Sequence, residues 1–382
     1  MTFNLVKTDG AARRGRLVTP HGIVETPAFM PVGTRGTVRS LGPDDLAAAG
    51  SQIVLANTYH LFMRPGAAVV RELGGLHRFM AWPGPILTDS GGFQVWSLSK
   101  LAVVDDEGVR FRSPVDGSLH ALTPEISIDV QHALGADVIH PLDEFLAHPA
   151  TREDIERSLE RTLRWARRSQ VAHARGPGGQ ALFGIVQGGA YADMRARAAR
   201  ETVALGFDGY AIGGMAVGEP KPIMYELTAT VASLLPAGQP RYLMGVGKPE
   251  DLVESVARGI DLFDCVLPTR NARNGQCFTW DGALTIKQAR YERDPAPLDA
   301  ECGCYACRHF SRAYLRHLYM ADELLAYRLL SLHNVSFFHG LMTAMRAAVD
   351  AGAFAPFRAR FFARYAVSSE FVSREHISSA EA

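Results

Sequence analysis

An α/β chain closed into a (β/α)8 TIM barrel, with a small extra subdomain inserted near its C-terminus, is the architecture this sequence predicts. Two observations predict it. Short apolar runs that end in Gly-rich or acidic tails recur along most of the 382 residues, separated by segments of helical period. Three of the five cysteines then crowd together at 302, 304 and 307, where that rhythm has stopped.

The runs, in order, are TPAFMPVGTRG (26–36), QIVLANTYHL (52–61), PILTDSGGFQ (85–94), ADVIHPLDEF (136–145), ALFGIVQGG (181–189), GYAIGGMAVGE (209–219), RYLMGVG (241–247) and IDLFDCVLPTR (260–270). Continuous apolar runs suit parallel strands buried on both faces, with helices as crossovers. Thr151 followed by Asp154 is a capping signal ahead of the period Ile155, Leu159, Leu163. In PEDLVESVARG, Pro249 and two acids occupy a first turn and Gly259 the exit. Eight such units favour a closed barrel over a doubly wound sheet. The expected division is a barrel with an N-terminal extension over 1–283 and 338–382, and a subdomain over 284–337.

Composition narrows the function classes. With 47% apolar and 21% charged residues the chain can bury a large core. Lys and Arg equal Asp and Glu at 40 each, so affinity for a polyanion must come from local clustering. No run of about 18 apolar residues suggests a membrane span. The start, MTFNLVKTDGAARRG, lacks a secretory h-region, so a cytoplasmic protein is expected.

In a barrel of this kind the chemistry lies at the C-terminal ends of the strands. Asp89, Asp143, Gln187, Gly213, Gly214 and Asp264 all fall there and would converge on one mouth. Each alone is ordinary turn chemistry; together they suggest a site.

Beyond the last strand, Cys302, Cys304 and Cys307 with His333 downstream offer three thiolates and one imidazole, the set for a tetrahedral Zn2+. Four protein ligands leave no open position, so the ion would be structural and 284–337 a zinc-binding subdomain. His309, His317 and His339 lie within chain reach as alternatives to His333. Arg308, Arg312 and Arg316 recur every fourth residue and on one helix would form a cationic stripe able to follow a phosphate backbone.

The stretches LANTYHL, TDSGGFQ, DVQHALGAD, GIVQGG, AIGGMAVGE, RYLMGVG and DLFDCVLPTRNARNG, with the C-x-C-x2-C and distant His, resemble the tRNA-guanine transglycosylase (queuine tRNA-ribosyltransferase) family in its bacterial form, over nearly the whole chain. That resemblance implies an enzyme that replaces guanine at the wobble position of tRNAs with GUN anticodons, in queuosine biosynthesis. It implies Asp264 as nucleophile and Asp89 as general acid and base. It also implies Asp143, Gln187 and the Gly214 N–H as readers of the purine edge, and Phe93 and Met244 as stacking faces. The Met215 carbonyl backed by Glu219 would read a 7-aminomethyl group, and Arg270 and Arg273 the flanking uridines. A homodimer with one structural zinc per chain, binding the anticodon loop and a 7-deazaguanine base, is implied too. The chemistry is sound independently: displacing a base from C1′ needs a carboxylate beside the sugar and a proton donor beside the base.

One departure bears on the substrate. Many bacterial relatives carry a small Cys where this chain has Phe145, so a larger ring could reshape the substituent end of the pocket. The expected incoming base is 7-aminomethyl-7-deazaguanine (preQ1), with preformed queuine as the alternative. A non-catalytic tRNA-binding accessory subunit and a zinc hydrolase are the rival readings.

Overall fold

A computed structural model describes residues 1–98, 102–114 and 116–365. The last part of the expected barrel segment, 366–382, lies outside the described residues. Eight short parallel strands form the centre: β1 (Ala28–Pro31), β2 (Val54–Ala56), β3 (Ile86–Thr88), β4 (Val138–Ile139), β5 (Ala181–Val186), β6 (Gly209–Ile212), β7 (Arg241–Leu243) and β8 (Leu262–Cys265). Each lies inside one of the eight apolar runs. Neighbouring strands pair from β2 through β8 and back to β1. The ring closes where Val32 bridges Leu55 and the Gly33 N–H donates to the Leu55 carbonyl at 2.6 Å.

Side-chain alternation explains why the runs are apolar throughout. Met30, Leu55, Leu87, Val138, Phe183, Ile185, Ala211, Tyr242 and Leu262 fill the interior. Phe29, Val54, Ile86, Leu182, Val186, Leu243 and Phe263 join the larger cluster between strands and outer helices. Among those helices, Arg152–His173 starts at Thr151, whose hydroxyl accepts from the Asp154 N–H, and buries Ile155, Leu159 and Leu163. Pro249–Val256 starts at its proline with Glu250 and Asp251 in the first turn. Among the described residues no helix is long and apolar enough to cross a membrane.

The N-terminal extension, an antiparallel sheet of Thr2–Asp9, Ala12–Thr19 and Gly22–Thr26, closes the end of the barrel away from the strand C-termini; Leu17 and Val24 enter the inner core. Buried Arg13 pairs with Asp261 at 3.1 Å there. His21 and His77 reach the two oxygens of buried Asp137 at 2.7 and 3.2 Å. This floor is polar where strands begin, with Arg13 and the two histidines paired to buried aspartates.

The small lobe has its own core, with Cys277, Leu284, Ile286, Tyr291, Leu298, Leu315, Leu318, Leu329 and Leu330 buried. The long helix Leu324–Asp350 crosses residue 337 unbroken: Leu329 and Leu330 belong to the lobe, while Val335, Phe338, Leu341 and Met345 pack on the barrel.

The expected cationic stripe does not form. Tyr305–His309 and Arg312–Met320 are separate helices, because Ser311 caps the second by accepting from the Tyr314 N–H. Arg308 therefore lies on a different helix from the other two. Arg312 turns inward to Asp294 (3.1 Å) and the Leu298 carbonyl (2.9 Å), and Arg316 donates to the Gln288 carbonyl.

Candidate active site and metal centre

The C-terminal ends of the strands bring together the residues singled out from sequence. Asp89 follows β3, Asp143 follows β4 by four residues, Gln187 follows β5, Gly213 and Gly214 follow β6, Met244 follows β7, and Asp264 lies in β8. All open at the same end of one closed ring.

Asp89 is buried, held by the Asn57 amide at 2.5 Å and the Thr58 N–H at 2.8 Å, both from the turn after β2. Burial raises its pKa to about 6 against these bonds, and the charge of Asp264 adds to the rise. The two carboxyls thus feel one another across the mouth. Asp264 accepts from the Tyr242 hydroxyl at 2.6 Å and the Gly245 N–H at 2.8 Å. Its pKa is pushed up by desolvation, while those donors favour the ionised form. Tyr242 stands in the barrel interior, so the strand after β6 supports the carboxyl from below.

Asp143 is also buried. The Ser90 hydroxyl and the Gln187 amide donate to its two oxygens, each at 2.7 Å. Burial raises its pKa and these two donors lower it. Behind them, Gln131 on the helix Pro124–Leu134 accepts from the Thr88 hydroxyl and the His140 N–H, and donates to the His140 carbonyl. The ends of β3 and β4 are thereby locked together. Gly213 and Gly214 press against Gln187: a Cβ on either would sit 2.6 Å from its amide, and Gly214 has φ +65°. Glu219 accepts from the N–H groups of Ala216 (2.5 Å) and Val217 (2.9 Å), shaping the turn after Met215.

A cavity of about 210 Å³ opens beside this turn, lined among others by Leu146, His148, Tyr191, Met215, Val217 and Glu219. Phe145 is not part of that lining. Its buried ring packs edge-to-face on half-exposed Phe93, with centroids 5.0 Å apart. The bulk of Phe145 therefore supports an aromatic wall. Met244 is partly buried against the inner core.

At the lobe, one ligand-type atom each from Cys302, Cys304, Cys307 and His333 lies within 4.8 Å of all the others. His333 is fully buried, its Nε2 2.8 Å from the Phe278 carbonyl and its Nδ1 3.2 Å from the Cys307 sulfur. The carbonyl fixes the proton on Nε2, which turns the Nδ1 lone pair toward the thiols. This is the tautomer a metal requires, and the cluster fits a zinc site. His309, His317 and His339 stay outside it; His339 is bonded to the Ser51 hydroxyl instead. His21, His77 and Asp137 also bring ligand-type atoms within 4.8 Å, at the opposite end of the barrel from Asp89.

The family model for Queuine tRNA-ribosyltransferase matches residues 8–367. The chain is 56% identical over 364 residues to the Queuine tRNA-ribosyltransferase of Solidesulfovibrio magneticus, covering 95% of this chain and 98% of that one. It is 56% identical over 365 residues to the protein of that name from Symbiobacterium thermophilum (95% and 91%), and 54% over 367 to that of Thiobacillus denitrificans (96% and 100%). The chain belongs to the queuine tRNA-ribosyltransferase family.

In this family member the polar mouth has a basic rim that sequence reading found only in part. Arg270 and Arg273 lie on the helix Leu267–Arg273 directly after β8. Burial, then the charges of Arg39 and Arg270, lower the pKa of Arg273. Arg35 and Arg39, in the loop after β1, were missed, because only barrel closure sets β1 beside β8. Burial and both arginines together drive the pKa of nearby His60 down to about 4, so it adds no charge at neutral pH. Tyr242, Asn57 and Arg195 were missed as well: the first two lie within the stretches RYLMGVG and LANTYHL but were given no role of their own, and Arg195 reads as one more charge on a helix.

Proposed function

We propose that this enzyme exchanges guanine at the wobble position of tRNAs with GUN anticodons for preQ1, through a covalent aspartyl double displacement, as a step of queuosine biosynthesis. The observation that carries the reading is the meeting of Asp89 and Asp264 at one mouth, from strands β3 and β8, with the charge of Asp264 acting on Asp89. The names and extent of the matching relatives support the reaction class.

Asp264, whose ionised form the Tyr242 hydroxyl and the Gly245 N–H favour, attacks C1′ of the target nucleotide as the bond to N9 breaks. Asp89 supplies the proton that the departing guanine takes up. In the second half the incoming base gives its N9 proton to Asp89 and attacks C1′, expelling the Asp264 carboxylate; two inversions restore the anomeric configuration. The target base is already single-stranded in an anticodon loop, which lowers the cost of turning it into the mouth.

Asp143, whose ionised form its two donors favour against burial, accepts in that form from N1–H and the exocyclic amine of guanine or a 7-deazaguanine. One Gln187 amide hydrogen is engaged by Asp143; its other, with the Gly214 N–H, serves the purine carbonyl. Phe93 and Met244 supply the two stacking faces. The Met215 carbonyl, with Glu219 behind its peptide, accepts from an aminomethyl group, and the adjoining cavity gives a 7-substituent room. Arg270 and Arg273 meet the flanking nucleotides. Retention of Asp89, Asp143 and Asp264 together favours an enzyme over an accessory subunit.

Cys302, Cys304, Cys307 and His333 would hold one structural Zn2+ per chain, which supplies folding rather than reaction chemistry. The same lobe exposes Tyr305, Met320 and Leu324, the last 82% exposed, which supports pairing of two chains as a homodimer. Two chains per particle in sedimentation, and one after Leu324→Arg, are the expected results. A tRNA substrate is the reason for a cytoplasmic assignment.

The test is release of label from guanine-labelled tRNA with each candidate base. Release with preQ1 at micromolar levels supports the reading; release with queuine and none with preQ1 overturns that base choice. The same assay checks Asp89. Guanine departure needs its proton, so adduct formation from free enzyme and tRNA is expected to fall as pH rises through about 6, the pKa that burial and Asp264 impose. Asp89→Asn should remove that limb and slow exchange about 10²- to 10⁴-fold. An unaltered rate and profile would take Asp89 out of the mechanism.

A further inference from the structure

Arg195, on the helix Ala192–Leu205 outside β5, is a fully buried arginine with four backbone carbonyls around its guanidinium. It donates to Gly189 at 2.7 Å, Val186 at 3.2 Å, Gly213 at 2.6 Å and Gly214 at 2.8 Å. No carboxylate lies within ion-pair distance among the described residues, and burial lowers its pKa to about 10 with only the field of Glu219 opposing. A cation placed so deeply, solvated only by peptide oxygens, is costly unless the orientation it imposes is needed.

That orientation follows from peptide geometry. In a trans peptide the C=O and the N–H point to opposite sides. The Gly213–Gly214 and Gly214–Met215 peptides are trans, since the three cis bonds lie elsewhere. With the Gly213 and Gly214 carbonyls both turned outward to Arg195, the N–H groups of Gly214 and Met215 must face the barrel mouth. Among the described residues neither N–H has a hydrogen-bond partner. Glu219 acts on the next peptide with the opposite sign. Its carboxylate takes the Ala216 N–H, which turns the Met215 carbonyl the other way. A forked cation and an anion therefore bracket one three-residue turn. Two glycines without side-chain restraint would otherwise sample many orientations.

We propose that Arg195 is a positioning residue for base recognition: by pinning two successive carbonyls it aims the Gly214 and Met215 N–H groups at the carbonyl edge of the purine. The inference rests on the proposed reading of the mouth as a guanine site. Arg195 touches no reacting atom. Its effect is on the base common to every substrate, whereas Glu219 bears only on a base with a 7-aminomethyl group. Lysine cannot replace it, since one ammonium cannot fork across two peptides and reach the β5 carbonyls as well.

The test is equilibrium binding of guanine and of preQ1 to the full-length zinc-loaded protein without tRNA, together with exchange kinetics, for wild type, Arg195→Lys and Arg195→Met. The expected result is a dissociation constant at least about tenfold higher for both bases in each variant, the size of one misaligned hydrogen bond or more. KM for the base should rise in parallel, and by a larger factor than KM for tRNA, which the RNA rim also holds. Glu219→Gln should weaken preQ1 alone. Unchanged base affinity in folded Arg195 variants overturns the inference, as does a fall in kcat with an unchanged KM for the base. Failure of both variants to fold would also overturn it, by making Arg195 a residue of stability. If wild-type protein binds guanine in an Arg195-dependent way yet exchanges no label, the positioning role stands and the proposed reaction fails.

Discussion

Asp264→Asn is expected to bind tRNA with nearly wild-type affinity and to form no covalent RNA adduct. The amide keeps the shape of the carboxyl, and its oxygen can still accept from Tyr242 and the Gly245 N–H. What it loses is the negative charge and the electron pair that bond to C1′. Since RNA contacts are proposed for the Arg270 and Arg273 rim, affinity and chemistry should separate. A denaturing gel of enzyme, tRNA and a base analogue should show a shifted band for wild type and none for the variant, with label exchange at background. An adduct persisting in the variant would assign the nucleophile elsewhere. Burial of an ionised carboxylate near Asp89 is also a cost to the fold, because desolvation pushes the pKa of both groups upward. Neutralising Asp264 should therefore leave the thermal midpoint unchanged or raise it.

Removal of the zinc proposed for the lobe is expected to have an effect of a different kind. A Cys3His site contributes on the order of 10 kcal/mol to local folding when zinc binds. The lobe's own core is only about a dozen side chains, several of them small or cysteine. Cys304→Ser, or chelation of the native protein, should abolish the bound zinc and open the lobe to proteolysis between about 290 and 320. The damage should then spread to RNA binding. Tyr319 donates to the Arg273 carbonyl at 3.0 Å, and Asn334 to the Pro268 carbonyl at 2.8 Å, so the lobe supports the helix that carries Arg270 and Arg273. KM for tRNA should rise more than the dissociation constant for the free base. Activity lost with no gain in protease sensitivity would instead favour a catalytic metal, as the hydrolase reading requires.

How much of this was legible differs from element to element. Each barrel strand is buried on both faces, so an unbroken apolar run was both necessary and visible, and all eight runs contain a strand. Helix starts at Thr151 and Pro249 were visible because capping is a local matter of a few residues. The Cys3His cluster that fits zinc was visible because three of its four residues sit within six positions. The Arg308, Arg312, Arg316 pattern misled, since period four implies one face only if the helix is continuous. Ser311 ends that continuity, and its preference for the cap position competes with helix propagation.

By itself, the order of residues determined which runs hold strands, which polar groups stand beyond their C-terminal ends, and that a thiol cluster follows the last strand. These depend on burial pattern and near-neighbour spacing, which are written locally. Tertiary closure alone decided that Tyr242 reaches Asp264, that Arg39 joins Arg273, and that Arg195 turns inward to four carbonyls instead of lying on a solvated helix face. Such contacts are set by strand order and helix placement in three dimensions, and a long side chain with several rotatable bonds carries no local mark of which distant partner it will meet.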